Sequence, residues 1–155
     1  MDNRQLGNPG TAAFQVERYP FYLLNRLVSR YNGVIGGRLR AIDLDIPSWR
    51  VLMILGERAP RGVRDIADAA VIPLSTMTRI IQRMTSAGLV AVSDSADDAR
   101  VTEVSLSPEG ERRLAAAREA SAPVYEQVIR GLSERDFDQL LDLLGRVHAN
   151  LDEVA

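Results

Sequence analysis

Apolar residues recur at helical spacing along most of this chain and give way to alternation only once. From Pro20 onward, Leu24, Leu27, Val28, Tyr31, Val34 and Ile35 return at intervals of three and four, which predicts a long helix. Gly33, Gly36 and Gly37 lie inside it at about 1 kcal/mol each relative to alanine, so the helix bends there or another backbone comes close. Their spacing is not that of a dinucleotide loop, and no strand precedes them. Asp43 to Asp45 reads as a hinge. Ile46-Pro47-Ser48-Trp49-Arg50 then opens a second helix with proline at its first position, buried through Val51, Leu52, Ile54 and Leu55. Trp49 is the only tryptophan; general burial preference puts it in the core, the other reading being a pocket wall. Glu57 to Gly62 is a turn, and Val63-Arg64 is expected as a very short strand.

The stretch from Ile66 to Leu89 predicts two short helices and a stop. Ile66, Ala67 and Ala70 form a small apolar stripe, and Pro73 marks the first turn of the next helix, which ends before Gly88. In that second helix Met77, Ile80, Ile81 and Met84 share one buried face, while Ser75, Thr76, Arg79, Gln82 and Arg83 fall on the others. No carboxylate occurs from Pro73 to Thr85. A polar, basic outer face of this kind suits a recognition helix in a DNA major groove, where hydroxyls meet phosphate and arginine reads guanine. An ordinary amphipathic surface helix fits this stretch alone equally well.

After Gly88 the period changes. Leu89, Val90 and Val92 lead to a polar tip, Ser93 to Arg100, and Val101, Val104 and Leu106 alternate with polar residues, which predicts a β-hairpin. Ser107-Pro108-Glu109 starts another helix, with Leu114, Ala117, Ser121, Val124 and Val128 as its stripe and a kink or break expected near Pro123. Ser133 to Asp136 caps a last helix whose Phe137, Leu140, Leu141, Leu144, Val147, His148 and Leu151 form a broad apolar band. Residues 1–13 read as a flexible arm. The fold class is therefore mainly α with a small β-hairpin, a winged helix-turn-helix with helices before and after it.

Composition narrows the function. A chain of 155 residues with 46% hydrophobic content holds one core plus helical extensions. Its net charge of -2 requires any DNA contact to be local, and all 19 basic residues are arginine, each a planar fork suited to phosphate or carboxylate. The absence of cysteine excludes disulfides, thiolate metal sites and thiol redox sensing. With one histidine and no paired carboxylates in an evident cleft, an enzyme is not expected, nor a metal or other cofactor. No apolar run is long enough for a membrane span and no signal-peptide pattern opens the chain, so no membrane partner and a cytoplasmic location are expected.

From about Tyr22 to its end the chain resembles the MarR (multiple antibiotic resistance regulator) family of transcription factors. The resemblance lies in Ile46-Pro-Ser-Trp-Arg-Val-Leu, in Ile66-Ala through Thr78-Arg-Ile-Ile-Gln-Arg-Met, in Gly88-Leu-Val, and in Asp98-Ala-Arg100 followed by Val104-Ser-Leu-Ser-Pro-Glu-Gly110. It implies that Pro73, Ser75, Thr76, Thr78, Arg79 and Arg83, together with Arg64, contact the major groove or its phosphates. Arg100 would enter a minor groove from the wing, with Asp98 bracing it. Family wings commonly carry further basic residues; here Val92, Ser93 and Ala99 stand in those places, and Asp94 and Asp97 crowd the tip, so the electrostatic grip should be weak.

The resemblance further implies a homodimer on double-stranded DNA close to an inverted repeat, which also gives the apolar last helix a partner. Residues 46–110 would be the winged DNA-binding domain, and 14–45 with 111–155 the helical dimerisation region. Family members commonly bind a small effector between these parts. Tyr22, Arg26, Trp49 and Arg50 are the candidate walls, a mixture of ring and guanidinium suited to an aromatic carboxylate or its CoA thioester, although each arginine singly is also explained as solvated or paired. A repressor released by such an effector is the favoured function. A winged protein-interaction module, an anti-repressor without specific DNA binding, is the alternative, motivated by the acidic wing tip.

Overall fold

In the computed structural model, which describes Asp2–Val154, the elements follow the predicted order. α1 (Asn3–Leu6) is a single turn capped by the Asp2 carboxylate, and Gln15 N–H donates to Leu6 O at 2.8 Å, so part of the expected arm is folded. α2 (Pro20–Arg40) runs without interruption through its three glycines. Only Gly36 is enclosed: a Cβ there would meet Ile46 Cδ1 at 3.6 Å, so the neighbour is a side chain and not a second backbone. α3 (Ile46–Glu57) begins at Asp45, whose carboxylate accepts the Ser48 N–H at 2.8 Å as an N-cap should.

The short strand lies just before the expected Val63-Arg64, at the two preceding residues. β1 is Arg61–Gly62, and Val63 already starts α4 (Val63–Ala70), because extended Gly62 caps the helix and Asp65 falls in its positive first turn. α5 (Leu74–Ser86) follows with Pro73 as its cap residue, and Gly88, at φ +74°, reverses the chain into the wing. β2 (Val90–Asp94) and β3 (Thr102–Leu106) form the hairpin. β1 pairs with β3, Arg61 opposite Val104, making a three-stranded antiparallel sheet in the order β1-β3-β2.

α6 (Pro108–Val128) starts where Ser107 Oγ accepts the Gly110 N–H, and the expected break at Pro123 is absent: one proline removes one amide donor, and the flanking turns carry the helix on to Val128. α7 (Glu134–Asn150) opens with a Ser133/Asp136 capping box. The chain divides between Ser121 and Ala122 into two units. In the first, Ile35, Leu39, Val51, Leu52, Ile66, Met77, Met84, Val104 and Leu114 are sealed from solvent, a core shared by the helix-turn-helix, the sheet and the flanking helices. In the second, α7 buries none of its residues: Leu140, Leu141, Leu144 and Val147 are all exposed.

Candidate nucleic-acid interface and adjoining cavity

The apolar face of α5 fixes which residues look outward. With Met77, Ile80, Ile81 and Met84 buried, Ser75, Thr76, Thr78, Arg79, Gln82 and Arg83 lie on the solvent side, and Pro73 beside them is exposed. Thr78 Oγ1 donates to Leu74 O at 2.9 Å while the residue stays exposed. Between α5 and the wing lies a groove of about 750 Å³ into which Arg64, Thr78, Gln82, Val92 and Arg100 all converge. Arg64 from α4, Thr78 from α5 and Arg100 from the hairpin thus share one concave surface.

The wing tip holds Arg100 by its own loop. The Arg100 N–H and Nε donate to Asp98 Oδ1 at 3.0 and 3.2 Å, and Nη2 to Oδ2 at 3.4 Å, with the Arg100 side chain 91% exposed. These bonds, the side-chain one first, hold the Asp98 carboxyl below its ordinary pKa. Arg83 is differently placed from its α5 neighbours: its Nη2 donates to Asp45 Oδ2 at 2.9 Å and to Ser48 Oγ at 3.1 Å, at the start of α3. A separation of 38 residues hides this pair from any reading of local pattern.

Behind the helix-turn-helix, Trp49 and Arg50 line a cavity of about 560 Å³ with Val28, Tyr31, Asn32 and Met53. Trp49 is a half-buried cavity wall and not a sealed core residue, and its indole Nε1 is buried without a hydrogen-bond partner. Tyr22 and Arg26 do not line this cavity. They sit further back on α2 and engage each other, Arg26 Nη1 donating to the Tyr22 hydroxyl at 3.3 Å with its guanidinium 5.5 Å from the ring centroid. Tyr31 and Asn32, which sequence reasoning passed over, take their place; the spacing of Tyr31 on the α2 stripe was the available signal. Burial raises the Tyr31 phenol above its ordinary pKa, while the nearby Arg50 charge opposes the rise.

A second group missed in the sequence anchors the entry to α4. Arg61 is 10% exposed, donates to Asp65 Oδ2 at 2.9 Å and to Ile54 O at 3.2 Å, and stands 3.5 Å from Glu57. Arg113 of α6 donates to the Ile42 carbonyl and, at 3.0 Å, to that of Asp43. Both arginines hold the helix-turn-helix against its flanking elements.

Comparison with known proteins accords with this geometry. A family profile described as MarR family matches residues 42–101, from the hinge to the wing. The HTH-type transcriptional repressor IacR of Pseudomonas putida is 35% identical over 145 residues, covering 94% of this chain and 87% of that protein. A MarR-family transcriptional regulator from Silicibacter pomeroyi superposes with TM-score 0.80 at 24% identity, covering 90% of this chain and 94% of the other. CouR from Rhodococcus jostii RHA1 bound to p-coumaroyl-CoA gives TM-score 0.79 at 20% identity, with 86% and 94% covered. The transcriptional repressor CouR bound to a 23-mer DNA duplex gives 0.75 at 21%, with the same coverage. The structural likenesses establish a shared fold, and the identity to IacR across nearly the whole chain establishes the family: this chain belongs to the MarR family.

Proposed function

We propose that the protein is a homodimeric transcriptional repressor that binds a near-palindromic operator through α5 and the wing and is released by a small aromatic or anionic effector. The carrying observation is the groove between α5 and the hairpin, into which Arg64, Thr78 and Arg100 converge beside a helix face that has no carboxylate. In this reading Pro73, Ser75, Thr76 and Arg79 meet base edges and phosphates in the major groove, and Arg100 follows the backbone into the minor groove. A dimer supplies the cover that exposed Leu23, Leu27 and Val28 on α2, and the α7 leucines, each lack. The effector cavity is the one walled by Trp49, Arg50, Tyr31 and Asn32, its apolar lining and guanidinium matching an aromatic carboxylate or a thioester of one. A cytoplasmic location follows from the DNA partner; among the described residues no helix is long and apolar enough to cross a membrane.

Asp94 and Asp97, on or beside the tip with no lysine to balance them, favour a second reading, a winged protein-binding module. The two part in a gel-shift experiment with the fragment upstream of the protein's own gene. A repressor shifts it at nanomolar concentration, and Arg79→Ala moves the shift to higher concentration; a protein-binding module gives no sequence-dependent shift at any salt.

A further inference from the structure

We propose that Arg83 is a positioning residue, a latch joining α5 to the first turn of α3, and not a contact to DNA. The inference rests on the DNA-binding reading above and changes the role of one residue within it. Arg83 stands near the C-terminal end of α5, whereas a recognition helix meets base edges mainly with its N-terminal residues. Its Nη2 is already engaged by two acceptors, Asp45 Oδ2 at 2.9 Å and Ser48 Oγ at 3.1 Å. Asp45 divides its oxygens: Oδ1 caps α3 through the Ser48 N–H at 2.8 Å, and Oδ2 takes the guanidinium. Ser48 is 6% exposed, so its hydroxyl is fixed in place beneath Arg83.

The next two residues on the same turn of α3, Trp49 and Arg50, wall the cavity on the other side of the helix. One turn of helix therefore carries the effector wall on one face and the hold on the DNA-reading helix on another. Arg113 of α6 also donates to the Ile42 and Asp43 carbonyls, so the segment leading into α3 is held from α6 as well as from Arg83. A ligand that moves Trp49 and Arg50 moves Asp45 and Ser48 with them, and the planar, permanently charged fork of Arg83 passes that displacement to α5.

The test uses full-length protein and duplexes selected by the wild type from a random pool. Asp45→Asn keeps a good N-cap while removing the charge, and Arg83→Gln removes the fork. Both should weaken binding by about tenfold, the worth of one charge-assisted hydrogen bond, and the double variant should be no weaker than either alone. The slope of log K against log[salt] should stay at the wild-type value in all three. Ser48→Ala, a smaller change that leaves the cap carboxylate intact, should weaken binding less and keep the same slope. Trp49, as the sole tryptophan, gives the second readout: saturating duplex should shift its emission in the wild type and leave it unshifted in Arg83→Gln and Asp45→Asn. The latch is overturned if Arg83→Gln alone weakens binding with a slope reduced by about 0.9, the signature of one lost phosphate contact, or if duplex shifts Trp49 emission equally in wild type and variants, or in none of them. A wild type that selects no duplex at all overturns the DNA-binding reading itself.

Discussion

Arg79 bears the heaviest demand of any side chain on α5. It is exposed, lies one turn beyond Ser75, and has no carboxylate on its own helix to draw it aside. If it spans guanine O6 and N7, Arg79→Ala should cost about 1 to 3 kcal/mol of specific binding, roughly fivefold to 150-fold, with little change on unrelated sequences. Competition titrations against selected and scrambled duplexes measure both. Val71 makes a different prediction. It closes α4 at φ 56° and is 89% exposed, so a β-branched residue sits in the left-handed region with no burial to offset it. Val71→Asn should raise stability by about 1 kcal/mol, read as a higher denaturation midpoint at unchanged m-value, because asparagine tolerates that conformation. Gly110 behaves in the opposite sense: a Cβ there would run into the Leu89 carbonyl, so Gly110→Ala should destabilise by about 1 to 3 kcal/mol.

Helices announce themselves by period, and α2, α3, α5, α6 and α7 were legible because Leu24 to Ile35, Met77 to Met84 or Phe137 to Leu151 repeat over several turns. β1 has two residues and no period to read; only its pairing with Val104, far along the chain, makes it a strand. Pro123 does not interrupt α6, which runs on to Val128, since one proline removes a single amide donor while the neighbouring turns keep theirs. The outward residues of α5 followed from spacing and the Asp98–Arg100 brace from the family resemblance. The Arg61 pairs are local, four residues to either side, but lie across a strand and turn with no period to read, whereas the Arg83 pair joins residues brought together only by folding. The Arg61–Asp65 pair also sets an acid limit on the entry to α4. The Arg61 hydrogen bond is the chief cause that keeps the Asp65 carboxyl below its ordinary pKa, against desolvation, with the Arg58 charge adding to it. Because the folded value is the lower one, the pair's contribution is complete above the ordinary carboxylate range and is lost as pH falls through the folded value. Denaturation midpoints should therefore drop on acidification below about pH 4, and Asp65→Asn should flatten that drop.

For the protein as a whole, the proposed dimer rests on apolar surface that the single chain leaves exposed. Leu141 and Leu144 are 54% and 40% exposed in the single chain, and Leu27 on α2 is 59% exposed. Substituting one exposed leucine by arginine on a free surface changes stability by about 0.5 kcal/mol or less. Leu144→Arg should instead convert the protein from dimer to monomer in sedimentation equilibrium and abolish the gel shift, since one winged module offers few phosphate contacts and a wing tip with Asp94 and Asp97. The account as a whole stands on α5 being presented twice to DNA by a symmetric pair. Sequencing the duplexes that the wild-type protein retains from a random pool tests this most directly. The prediction is convergence on an inverted repeat whose half-sites are centred about 10 base pairs apart, or a multiple of that helical repeat. Convergence on a single, asymmetric half-site, or no convergence at all, would contradict it.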